Sequence, residues 1–157
     1  MKANRLVLAL ASILFFLSGA AAAQDLARIV TKADVEKVTG AKFQDGTKPM
    51  PSQMLFMQEG GDLQLSVEVE PRDVASTVRS WEATIRKMQP NQKVDTIPGV
   101  GKDAIYFSAR PDSGALSADY DKPRVQLRVA IVGAKTPAQA KQMVVTLAKI
   151  VGPRVGK

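Results

Sequence analysis

Two residue types are missing from this chain of 157 residues: cysteine and histidine. Their absence removes thiolate and imidazole metal sites, cysteine nucleophiles, histidine-based triads and any histidine pH switch. Disulfides are excluded too, so stability must come from a packed core. Carboxylate-only hydrolases and Ser-Lys systems need neither residue, but no S-x-x-K motif occurs. Aromatics make up only 5% of the chain, and lysines and arginines form no run. Without aromatics interleaved among basic residues, the pattern used for single-stranded nucleic acid is missing, and no nucleic-acid partner is expected. The one long apolar run, Leu6 to Leu17, falls short of the ~20 residues that a membrane span requires.

That run is part of a leader. Lys2 and Arg5 supply a charged start, Leu6–Leu17 the apolar segment, and Ala20–Ala23 the small residues of a cleavage site. The expected cut follows Ala23, so residues 1–23 are a signal peptide and Gln24 begins the mature protein. No cysteine follows the cut for lipid attachment, and no stable membrane insertion is expected after cleavage. The remaining 134 residues suit one domain. Without Lys2 and Arg5, twenty basic residues face fifteen acidic ones, a net charge of +5. A modest positive balance favours encounter with anionic surfaces such as phospholipid or lipopolysaccharide. Export without cysteine points to the periplasm.

Local patterns give the element order. Thr31 and Asp34 form a capping box for a short helix that ends at Gly40. Met54–Gln58 and Leu63–Glu70 flank the turn EGGD, and the second segment alternates apolar and polar residues as a half-buried antiparallel strand does. A long helix is expected from about Arg72 to Met88, with Val74, Val78, Trp81, Ile85 and Met88 in one buried stripe and Trp81 in the core. Val94–Ile97 and Ala104–Arg110 read as strands, and Ala115–Tyr120 as a short edge strand. Arg124–Val132 is the strongest strand pattern. Thr136, Pro137 and Gln139 open a last helix that buries Ala140, Met143, Val144, Leu147, Ala148 and Val151 and stops at Gly152-Pro153. The reading is a single α+β domain over residues 24–157. An antiparallel sheet of about five to six strands is packed by two longer helices plus a short N-terminal one.

The stretch IPGVGKDAIYF, Ile97–Phe107, looks like a phosphate loop at first sight. A P-loop runs strand, glycine loop, helix, whereas these glycines lead into a strand. The segment therefore reads as a turn, with Gly99 and Gly101 taking backbone angles closed to other residues. The same residues carry a resemblance. Thr31, Asp34, Val35 and Gly40, together with Gly99, Val100, Gly101, Ala104 and Tyr106, resemble small exported domains of the PsbP-like α/β fold, including bacterial lipoprotein families. The order of elements agrees across most of the mature length. The chain departs from the lipoprotein members in lacking a lipobox cysteine and a cysteine pair. The resemblance implies a fold and an envelope address and assigns no catalytic residue.

Few side-chain groupings could carry chemistry. Met50, Met54 and Met57 could offer thioether ligands to copper, but Met57 points away from Met54 on a strand, and methionine also fills cores. Asp112, Asp119 and Asp121 lack the spacing of a calcium loop and read as solvated turn residues. Glu68 and Glu70 share a strand face, where they suit either a carboxylate hydrolase or pairing with Arg124 and Arg128 on a neighbouring strand. The second reading is preferred. No catalytic residue, metal or cofactor is assigned. The expected site is the sheet face left open by the helices, carrying Glu68, Glu70, Arg124, Gln126 and Arg128. The expected function is non-catalytic binding of an envelope protein or small ligand, and a carboxylate-dependent hydrolase of the envelope is the alternative.

Overall fold

The alternating strand around Leu127 becomes the middle of the sheet. The computed structural model describes residues 25–155 and Lys157; the expected leader and its cut before Gln24 lie outside the described residues. The helices are α1 (Leu26–Ile29), α2 (Lys32–Thr39), α3 (Val78–Met88) and α4 (Pro137–Val151), the last followed by a 3-10 turn at Gly152–Arg154. The strands are β1 (Thr47–Met50), β2 (Gln53–Met57), β3 (Gln64–Pro71), β4 (Val94–Thr96), β5 (Asp103–Phe107), β6 (Ser113–Asp121) and β7 (Arg124–Val132). All seven join one antiparallel sheet in the order β1-β2-β3-β7-β6-β5-β4. Among the described residues no helix is long and apolar enough to cross a membrane.

Register fixes the two faces. Val69 lies opposite Leu127, Leu127 opposite Ala118 and Ala118 opposite Ala104, so one row of apolar side chains crosses four strands. This face and α4 enclose the main core, with Leu26, Ile29 and Val35 of the N-terminal helices closing it. All six residues expected on the inner side of α4 are buried. Ala140 and Ala148 let the helix approach the sheet closely, and each larger side chain contributes about 1.5–3 kcal/mol by burial. Both capped helices form as their sequences dictate: Thr31 and Asp34 make the reciprocal capping box, and Gly40 ends α2 with φ +70°. On α4, Thr136 accepts from the Gln139 N–H, while the Gln139 side chain reaches back to the Lys135 N–H.

Several expectations need correction. β1 was hidden by Pro49 and Pro51, which suppress a strand signal; at the sheet edge a proline is tolerated, because half the backbone groups there have no partner strand. β6 is no short edge strand but nine residues paired on both sides. Its small residues Gly114, Ala115, Ser117 and Ala118 weaken the apolar pattern. The first long helix, α3, starts at Val78 rather than near Arg72. The backbone of Arg72 still pairs with Arg124, and the chain turns into a helix only where Thr77 and Ser80 form a capping box.

The open half of the sheet and the edge of helix α3

The two long helices lie on opposite faces. Val78 of α3 packs with Val94 and Ile105, the latter facing away from its neighbours Ala104 and Tyr106 in the main core. This second face is therefore covered only over β4, β5 and β6. Over β2, β3 and β7 it stays open.

A buried ionic cluster sets where α3 lies. Asp119 on β6 is only 2% exposed and accepts from the Val78 N–H at 2.8 Å, from Gln126 Nε2 at 3.2 Å, and pairs with Arg72 Nε at 3.5 Å. Arg72 also reaches Asp121 at 2.8 Å. The carboxylate thus stabilises the positive end of α3 while neutralising a buried guanidinium. The expectation that Asp119 is a solvated turn residue is overturned: it lies within β6, and α3 arrives over that face of the sheet and covers its side chain.

The five expected site residues divide by register. Glu68 lies opposite Arg128, and their side chains pair at 3.7 Å. Glu70 lies opposite Gln126 and accepts from Ser52 Oγ at 3.3 Å. Gln126 is drawn into the Asp119 cluster. Arg124 stands exposed beside the turn, opposite Asp121 on β6. The carboxyl of Glu68 is pushed above the usual range, first by burial and then by Glu70, against the pull of Arg128. Glu68 and Glu70 sit side by side on one strand and do not face each other across a cleft. Of the three methionines, Met54 is buried in the core while Met57 is exposed on the open face, so their sulfurs do not converge.

Trp81 is the largest departure from expectation. It is 42% exposed, with the Arg128 guanidinium 5.1 Å from its ring centroid, an arrangement that favours the cation. Met88 is 75% exposed and Val74 lies in the loop before the helix. Only Val78 of the expected stripe is buried, because α3 rests near the sheet edge and its far flank meets nothing. The open half adds Met57 and Val132, 44% and 39% exposed, on the same side as Glu68 and Arg128. A groove of about 370 Å³ runs along the helix, lined by Ser80, Trp81, Thr84, Ile85 and Met88 and closed by Ala75 and Ser76. The uncovered face thus carries exposed Met57 and Val132 at the Gln64 end of β3, and the Glu68–Arg128 pair with Trp81 against it further along the strand. Such exposed apolar area is what binding surfaces are made of.

No protein-family model, curated protein or solved structure matches this chain.

Proposed function

We propose that the protein is a non-catalytic periplasmic binding protein of PsbP-like fold that engages an envelope protein or small ligand with the open half of its sheet. The observation that carries this reading is that Trp81 stands exposed against Arg128 of the Glu68–Arg128 pair, while Met57 and Val132 are exposed on the same uncovered sheet face. Apolar side chains left in water at one place favour association, and a charged rim selects its orientation. Export follows from the leader and is tested by intact mass of periplasmic protein, which should begin at Gln24.

Paired affinity capture from envelope extract tests the binding reading. Wild type and a Lys87→Ala control should retain a species that Met57→Lys and Trp81→Ala lose. Equal retention by all four, or none by any, would overturn it. A carboxylate hydrolase is the second reading, favoured by the raised carboxyl of Glu68 beside Glu70. Turnover of an ester, glycoside or phosphate that Glu68→Gln abolishes would establish it instead.

A further inference from the structure

A second concavity shares no lining residue with the open sheet face and has a different chemistry. It is a cleft of about 620 Å³ where α1, the β6–β7 turn and the C-terminal turn meet. Arg28, Lys122, Arg154 and Lys157 line it against a single acid, Asp25. Asp25 is divided between Arg28 at 3.5 Å and Lys48 at 4.0 Å. Arg154 is held rigidly: its Nη1 donates to the Ile29 carbonyl at 3.0 Å and to Asp34 at 2.6 Å, and its Nη2 to Asp34 at 3.0 Å. Lys122 and Lys157 have no ion pair among the described residues. Nearby, Asp121 is fully engaged by Arg72 and Lys102 and offers Lys122 little relief.

Four cations drawn from three separate parts of the chain repel one another in a shared concavity, and a multiply charged anion relieves that repulsion. Asp25 offsets Arg28 and Asp34 offsets Arg154, which leaves the two lysines unbalanced; a phosphoryl group offers several oxygens and up to two charges to fixed arginine and mobile lysine donors together. We propose that this cleft binds a phosphate-bearing anion, either a free phosphate compound or the headgroup of an anionic phospholipid. The inference goes beyond the binding role of the sheet face and stands or falls independently of it.

The test uses the mature protein with two probes: pyrophosphate by calorimetry, and vesicles of phosphatidylglycerol against phosphatidylcholine by co-sedimentation. The variant is Arg28→Ala with Lys122→Ala, both side chains being exposed, so that Arg154 and its brace stay intact. A matched control, Lys87→Ala with Lys135→Ala, removes the same charge elsewhere on the surface. Circular dichroism confirms that both remain folded. The expected result is binding of at least one probe by wild type, about tenfold or more weaker in the cleft variant and within about twofold in the control. Loss confined to pyrophosphate assigns a free anion; loss confined to phosphatidylglycerol vesicles assigns a headgroup. Either supports the cleft. Equal weakening in variant and control would reduce the effect to net charge and overturn the proposal, as would wild type binding neither probe.

Discussion

Replacing Gly101 by valine should destabilise the protein far more than replacing Gly99, two residues earlier, by alanine. Both glycines have positive φ, +58° and +78°. Their surroundings differ. A Cβ on Gly101 would collide with the Asp119 carbonyl oxygen, whereas one on Gly99 would meet nothing within 4 Å. That carbonyl also accepts the Lys102 N–H at 2.8 Å, the bond that ties the loop to β6. Gly99→Ala therefore carries only the left-handed backbone cost, about 1 kcal/mol. Gly101→Val adds β-branched strain of about 1–3 kcal/mol and the loss of a hydrogen bond worth a further ~1 kcal/mol or more. A total of about 3–5 kcal/mol lowers the melting temperature of a domain this size by roughly 10–20 °C. Lys102→Ala should change it little, since that side chain makes one exposed pair with Asp121. Thermal melts of the three variants, with and without nucleotide, provide the comparison. Gly101→Val as stable as Gly99→Ala would refute the close-approach reasoning. A nucleotide-dependent rise in melting temperature that vanishes in Lys102→Ala would refute the turn itself.

Asp119→Ala should cost about 3 kcal/mol in urea unfolding, because it leaves the buried Val78 N–H without its acceptor and removes one of the two carboxylates that face buried Arg72; a loss below about 1 kcal/mol would show the cluster to be dispensable. Arg154, bonded through both its terminal nitrogens, holds the Asp34 carboxyl at about 2 against an ordinary 3.8. Since the folded value is the lower one, the pair's stabilisation is present above 3.8 and is lost as pH falls toward 2. Asp34→Asn should therefore lower stability by on the order of 1–2 kcal/mol at neutral pH, a gap that closes in acid; a gap independent of pH would contradict the assignment. Trp81→Ala should cost only about 1–2 kcal/mol by thermal melt, against the 3–5 of a core tryptophan.

What could be read from the sequence, and what could not, follows from how many neighbours an element has. α4 announces itself because its apolar positions form a stripe two residues wide, with Ala140, Val144 and Ala148 beside Met143, Leu147 and Val151. The stripe of α3 is single file, Val78, Trp81, Ile85 and Met88, and periodicity alone does not say how much of a narrow stripe finds a partner. Placing Trp81 in the core was the natural error. The strict alternation of β3 and β7 put Glu68, Glu70, Arg124 and Arg128 on the polar sides of their strands, but of the expected pairings only Glu68–Arg128 forms, and Glu70 lies opposite Gln126 instead. It could not reveal that Gln126 turns toward Asp119, because that depends on α3 arriving over β6. β1 and β6 were obscured by prolines and by small residues, whose places in the sheet are set by neighbours distant in sequence. The exposed Val132 carried a signal in its own position, since it falls on the side of β7 that holds Arg124, Gln126 and Arg128; Met57 carried none, because β2 does not alternate.

The central claim is that the open half of the sheet beside α3 is the binding surface, and Trp81 can report on it directly. It is the only tryptophan in the chain, so protein made with fluorinated tryptophan gives one fluorine resonance from the edge of that face. Titrating in the species captured from envelope extract should shift or broaden the resonance, and the change should disappear in Met57→Lys. Binding of that species by calorimetry, with the fluorine resonance of Trp81 unmoved at saturation, would contradict the account.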